Sequence, residues 1–528
     1  MNAFLALFMR IAALATRLTD RVPSRILFFV VLASLAVSVY LHVDFVTQKD
    51  SPITTFLSDT PSFEDILDLQ DTESTDSTLY ANSSQEVEPV ELVLEAPEAL
   101  RSDNMPVDPV VVSMFAHLGL SETLLPNTNL IDTRNAFRLS REAILSDTEG
   151  RISDEFDIPE LLFDRAGFWF DVYTKYDSNQ RVIHHALFPW IVYRVVDVSA
   201  IVNSDTPKHL WMRRMKADRI VKAEVLKVRA ILHRLAYRRG LDNLTESERE
   251  IVNALAPLGD NLYKQARRAL HSVRTQVGQR DFFVAGLQLS SRYLATMERI
   301  FMDHRLPTEL TRIPFVESSF NRFATSKVGA SGVWQIMDST GRKFMTIDSV
   351  VDERRSPLKA TEAAAKLLKE NHLILHRSWP LAVSAWNHGP SGIRLAARST
   401  NSRDLGKIVG HYRSRTFDFA SSNFYCEFLA ALHAEKYSSE IFGASDRSNQ
   451  ETLLAVRLSR SVRFRELLSA SGMELTDMLA LNPDITKIAR QNLTLQRGFR
   501  LHVPDWTIEK LDRLVSVQKI RPSLARKD

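Results

Sequence analysis

A mainly α-helical chain made of several folded units is predicted, and three observations predict it. At 528 residues the chain exceeds what one core organises, so about three or four units are expected. Helical apolar spacing recurs in long stretches after residue 205, notably Val221, Val225, Val228, Leu232 and Leu235 and then Ala360, Ala363, Ala364, Leu367 and Leu368. Strand-like patterns are confined to Ile191–Val198 and to parts of the segment from Leu453 to Pro504.

Charge and cysteine content narrow the function. The net charge of +3 is close to balance, so nucleic acid is not an expected partner. The single cysteine, Cys426, excludes an internal disulfide framework and a thiolate zinc site. It stands in the apolar run Phe424-Tyr425-Cys426-Glu427-Phe428-Leu429, which reads as a buried core thiol.

From Ile26 to Leu41 the sequence is apolar and uncharged, preceded by Arg10, Arg17, Arg21 and Arg25 and followed by Asp44. This predicts an inner-membrane anchor over residues 1–44, with the arginines on the cytoplasmic side and the rest of the chain in the periplasm. A cleaved secretion signal is the alternative. Residues 45–106 are rich in Ser, Thr, Asp and Glu and hold little apolar surface, so they are expected to form a disordered acidic tether.

Residues 107–204 read as a mixed accessory region, with aromatic residues at Phe168, Trp169, Phe170 and Tyr173, a turn at Asp177-Ser178-Asn179 and a strand at Ile191–Val198. The adjacent His184 and His185 would face opposite ways on a strand, and no third ligand stands at metal spacing, so two ordinary side chains are expected. Residues 205–304 read as helices. Thr206-Pro207 is expected to open the first, Arg238-Arg239-Gly240 to close it, and Thr245 with Glu248 to form a capping box on the second. Further helices are expected around Tyr263 to Phe301. The basic residues from Arg213 to Lys227 read as a solvated face, with an anionic polymer as the alternative partner.

The sharpest chemistry lies after Leu306. Glu317 is bracketed by Ile313, Phe315, Val316 and Phe320. Apolar surroundings raise a carboxyl pKa, and a glutamate protonated near neutrality can act as a general acid on a glycosidic oxygen. Composition alone supports this weakly, since such a glutamate is more often solvated or ion-paired.

The neighbouring motifs decide the reading. Glu317-Ser318-Ser319-Phe320-Asn321, Ala324, Ser326, Gly329-Ala330-Ser331-Gly332-Val333-Trp334-Gln335 and Ala385-Trp386-Asn387-His388-Gly389 resemble, in the right order, the lytic transglycosylase domain related to goose-type lysozyme. The resemblance covers Leu306 to Leu432 and implies a lysozyme-like helical catalytic domain, taken as 305–445. It implies Glu317 as the sole acid/base and Ser318 as the neighbour that helps hold the site. It also implies Ser326 and Gln335 as hydrogen-bonding partners of the sugar, with Gly329 and Gly332 permitting a tight backbone path. Asn387 matches the third motif, and Tyr425 resembles an aromatic hydroxyl pointing at the acid. Trp386 departs from the family's tyrosine, but its indole N–H can still donate.

The implied substrate is the glycan strand of peptidoglycan, cut at the MurNAc-GlcNAc bond to leave 1,6-anhydro-muramoyl ends. No cofactor and no metal are expected. A catalytically silent peptidoglycan-binding scaffold and a hydrolytic muramidase are the alternatives. Asp338 and Asp348, the carboxylates soon after Gln335, read as caps of turns or helices, and Asp352-Glu353-Arg354-Arg355 as salt bridges fixing the loop over the site.

The C-terminal segment reads strand, two short helices, strand, and over 452–505 it resembles a small α+β LysM module, with Leu481-Asn482-Pro483 and the closing Phe499–Pro504 as the matching parts. Arg460-Ser461-Val462 replaces the usual opening. Glycan binding and packing support for the catalytic domain are both open. Residues 506–528 are expected to be a basic tail.

Overall fold

The helical periodicities become packed helices wherever their apolar faces can be covered. The computed structural model describes residues 139–517, except 208, 238–241, 260, 327 and 444–451. The expected anchor, the acidic tether, residues 107–138, the Arg238-Arg239-Gly240 cap and residues 518–528 therefore lie outside the described residues. Among the described residues no helix is long and apolar enough to cross a membrane, and no group of three or more His, Cys, Asp or Glu could hold a metal ion.

Two helices that are apolar almost all round must be buried on all sides. They are α1 (Phe163–Thr174), which buries Phe168, Trp169, Phe170, Val172 and Tyr173, and a long helix near the end of the lysozyme-like segment. Helix α1 was expected in the mixed accessory region; its packing instead joins it to the core that also holds Leu310, Phe315, Trp334 and Leu429.

A second core lies beside the first. Strand β1 (Gln180–His185) is the middle of a three-stranded antiparallel sheet, flanked by β2 (Val192–Asp197) and by β3 (Val273–Val277). Helix α2 (Leu210–Tyr237) buries Ala217, Val221, Val228, Leu232 and Leu235 against this unit. It starts at Leu210, not at Thr206-Pro207. Ser204 Oγ donates to the carbonyls of Ile201 (2.7 Å) and Thr206 (2.9 Å), so these residues form a turn of their own. Helix α3 (Glu246–Leu255) has the expected capping box: Thr245 N donates to Glu248 Oε2 at 2.9 Å and Glu248 N to Thr245 Oγ1 at 3.3 Å. After α4 (Leu262–Ala269) comes a correction to the expected run of helices. Val273–Val277 is strand β3, paired with β1 in the register Arg181↔Val277 to His185↔Val273.

Helices α5 (Arg280–Ser290) and α6 (Leu294–Asp303) return the chain to the first core. There α7 (Ile313–Ser318), α8 (Pro357–Ile374), α9 (Trp379–His388) and α10 (Phe419–Lys436) assemble, with α10 packed against α1, α7 and α9. Cys426 is buried in α10, as its neighbours required.

The C-terminal unit places β4 (Leu453–Leu458) between β7 (Arg500–Pro504) and β8 (Val515–Val517). A short pair, β5 (Val462–Arg463) with β6 (Thr494–Leu495), and the helices α11 (Phe464–Ser471) and α12 (Leu475–Leu481) complete it. Asn482 explains the Leu-Asn-Pro motif: its amide donates to His502 O and accepts from His502 N, both at 2.8 Å, tying the end of α12 to β7. Strand β8 was expected to be basic tail; it pairs Val515 with Leu458 and Val517 with Val456.

Candidate active site

The short helix α7 is held from below before it presents Glu317. Pro314 sits in its first turn, where the missing N–H costs nothing. Arg312, which precedes it, is buried; its Nε donates to Glu435 Oε2 on α10 at 2.9 Å, and a terminal nitrogen donates to Thr311 Oγ1 at 2.9 Å and pairs with Glu298 on α6. A buried guanidinium is tolerable only with such partners. Phe315 stacks on Phe283 of α5 with ring centroids 4.8 Å apart.

The chain then turns sharply. Ser319 (φ 49°) and Phe320 (φ 61°) both take the left-handed conformation, which costs non-glycine residues energy and is found where surrounding structure imposes it. Here Phe320 N donates to Pro314 O at 3.2 Å and its ring meets Phe315 edge-on at 4.7 Å. Ser318 is buried, and its hydroxyl donates to Val333 O at 2.9 Å, so it ties α7 to the glycine-containing loop.

That loop is self-braced. Ser326 Oγ accepts from Ala330 N at 3.0 Å. Gln335 (φ 45°) donates its amide nitrogen to Gly332 O at 2.8 Å and Ala324 O at 3.1 Å, which leaves its carbonyl oxygen as the atom it can offer a ligand. Gly332 (φ 77°) runs so close to the Arg354 carbonyl that a Cβ would lie 1.9 Å from it. Arg354 grips Asp352 with two nitrogens (2.9 and 2.8 Å) and donates to Gly329 O at 2.8 Å. Asp338 and Asp348 are turn and helix-start residues: the first pairs with Arg342, the second accepts from Val350 N and Val351 N.

From α9, Trp386 packs on Trp334 with ring centroids 5.5 Å apart, and its indole N–H favours the ionised form of the Glu317 carboxyl. Asn387, also on α9, is exposed, and its Oδ1 accepts from Ser421 Oγ at 2.9 Å; the same hydroxyl is 3.1 Å from His388 Nδ1. Tyr425 of α10 is buried, and its hydroxyl has no hydrogen-bond partner.

Two residues enter from outside the motifs. Glu427 on α10 and Tyr173 on α1 are coupled to Glu317 through its charge. Glu427 is legible as the one acid in a run of apolar helix; nothing in the sequence ties Tyr173 to the site.

Glu317 is half-buried. Loss of hydration pushes that carboxyl up to about 8, and the Trp386 N–H, which favours the ionised form, opposes the shift. Burial pushes Glu427 up to about 8 as well, with the Glu317 charge adding to the shift and Arg274 opposing it. Burial, then Glu427 and Glu317, raise the Tyr173 phenol well above its ordinary value. The site therefore holds two carboxyl groups that are mostly protonated at pH 7.

Residues 298–408 match the family described as "Transglycosylase SLT domain". The chain carries an SLT transglycosylase domain. It is also 26% identical over 226 residues to "Membrane-bound lytic murein transglycosylase D" of Escherichia coli strain K12, covering 42% of this chain and 46% of that protein. The protein of the same name from Escherichia coli O6:H1 matches to the same extent. The chain thus spans about half the length of the curated relatives it matches. The SLT match includes Glu317, Ser326, Gln335, Trp386 and Asn387, whereas α1 and α10, with Tyr173 and Glu427, lie outside it; α10 packs against α7 and α9 of the matched segment, and α1 against α10.

Proposed function

We propose that the chain is a peptidoglycan lytic transglycosylase in which Glu317 is the acid and then the base. The feature that carries this is the place of Glu317, half-buried near the end of α7 and within the SLT match, where burial pushes its carboxyl up to about 8. Protonated at neutral pH, Glu317 delivers its proton to the oxygen between MurNAc and GlcNAc as the bond to C1 breaks. The resulting carboxylate takes the proton of the muramoyl 6-hydroxyl as that oxygen bonds to C1, giving a 1,6-anhydro end and restoring the acid. Trp386 N–H stabilises the carboxylate between the two transfers. Gln335 and Asn387 supply amide groups for the sugar.

Glu427 does not favour hydrolysis. A base that activates water must be ionised, and Glu427 is largely neutral at pH 7. The C-terminal unit is read as a LysM-like glycan-holding module, and Ile26–Leu41 as the anchor that keeps the enzyme at the periplasmic face of the inner membrane. Mass spectrometry of the products from purified sacculi tests the activity. Anhydro-muropeptides are expected; hydrated ends only, or intact strands, contradict the proposal. Glu317→Gln should lower release by at least about 100-fold while pelleting with sacculi is unchanged, and a variant as fast as wild type removes Glu317 from its role.

A further inference from the structure

Helix α2 turns one face to its own core and leaves the opposite face to solvent. On that outer face Trp211 (59% exposed), Met215 (47%), Leu226 (63%) and Tyr237 (60%) recur at intervals of 4, 11 and 11 residues, which at about 100° per residue is a single stripe running the length of the helix. Isolated exposed apolar residues need no explanation; an aligned set of this size does. Arg219, Lys222 and Arg229 lie among them, all exposed, with Lys216 at the edge. Among the described residues of this helix Asp218 is the exposed acid, since Glu224 is partly covered and paired with Arg194 at 2.8 Å. That pair and the buried valines and leucines behind it fix the helix to the β2–β1–β3 unit.

We propose that this face of α2 lies on an anionic lipid surface. The 28 residues make a rod of about 42 Å. An aromatic residue near each end suits the water–lipid boundary, the apolar stripe can enter the upper acyl region, and the Lys and Arg stems can reach headgroup phosphates from within the stripe. A protein groove for Trp211 and Leu226 would have to set carboxylates against Arg219, Lys222 and Arg229 inside its apolar contact, at a desolvation cost. A soluble phosphate polymer would satisfy the cations and leave the apolar stripe in water. An anionic lipid surface supplies both layers in the order in which the face presents them. If Ile26–Leu41 anchors the same chain, the local lipid concentration is high and a weak affinity suffices. The inference is independent of the glycan chemistry.

The test is a spin label at Leu226→Cys in the full chain reconstituted into vesicles with and without phosphatidylglycerol; the native Cys426 is buried. A label at Leu395→Cys, an exposed site on another helix, is the reference. With the anionic lipid, the 226 label should become severalfold less accessible to a water-soluble nickel chelate while gaining access to oxygen, and Lys222→Glu with Arg229→Glu should abolish this. A 226 label as open to the chelate as the reference overturns the proposal. So does one shielded from both probes in either lipid, which would mean that protein covers the face, or one that enters uncharged vesicles equally well.

Discussion

Lys359 Nζ stands 2.6 Å from Asp484 Oδ2, and neither side chain is reached by solvent. Glu353 Oε1 is 3.1 Å away and the ring of Phe499 4.4 Å from the same nitrogen. Lys359 belongs to α8, which also supplies Thr361 as acceptor for the Trp334 indole at 2.9 Å, whereas Asp484 and Phe499 belong to the C-terminal unit. Tyr293 of the α5–α6 connection adds a hydrogen bond to Ala480 O at 2.9 Å. The small module is therefore docked by buried charge onto the helix that backs the site.

Removing one partner of that pair leaves a buried charge uncompensated. Lys359→Met is expected to cost about 3–5 kcal/mol, and Lys359→Met with Asp484→Leu to recover most of it, because a packed apolar pair can replace a buried ion pair. Urea unfolding of the three proteins checks this. Additive losses in the double variant would mean that the two charges do not depend on each other.

Trp386→Phe keeps an aromatic ring and deletes the N–H. The N–H favours the ionised form of Glu317, so its loss should raise the carboxyl pKa further, moving the alkaline limb of the pH–rate profile to higher pH. The rate at neutral pH should fall roughly a hundredfold, as expected for losing one donor to a charge that forms during the reaction. An unmoved limb would show that the indole does not touch the acid.

Glu427→Gln should act in the opposite direction. Ionised Glu427 disfavours a second negative charge at Glu317, so neutralising it lets Glu317 ionise earlier and draws the alkaline limb to lower pH. Stability provides a second readout. A carboxyl whose folded pKa is about 8 against 4.5 unfolded opposes folding once it would otherwise ionise. The penalty is absent below about 4.5, grows as pH rises towards about 8, and then levels off. The melting-temperature advantage of Glu427→Gln over wild type should follow that window, and an advantage equal at pH 4 and pH 8 would contradict it.

The helices, the capping box and the order of the three motifs were readable because each depends on local spacing. What the sequence could not give was partnership at a distance. Nothing local in Val273–Val277 outweighs the helices on either side; β1, nearly ninety residues earlier, decides that it is a strand. Likewise the burial of α1 depends on α10, which covers its largely apolar surface. Glu427 shows the same: its residue type is plain in the chain, while its exposure to the Glu317 charge depends on α10 packing against α7.

The two glycines of the motif loop separate backbone strain from close approach. Both have positive φ, 87° at Gly329 and 77° at Gly332, so an alanine at either is strained by about 1 kcal/mol or more. At Gly329 no atom lies within 4 Å of a built Cβ, and that strain is the whole effect. At Gly332 the Cβ would sit 1.9 Å from Arg354 O and 2.8 Å from its carbon, both backbone atoms with no rotamer to escape through. The loop must then separate from the Arg354 segment, breaking the Arg354 donation to Gly329 O and shifting Val333 O away from Ser318. Gly332→Ala is therefore expected to lose more than about 3 kcal/mol and, in whatever fraction stays folded, to lose activity through the displaced Gln335. Gly329→Ala should keep most of both. Equal melting temperatures for the two variants would show that the 329–354 contact does not hold the loop.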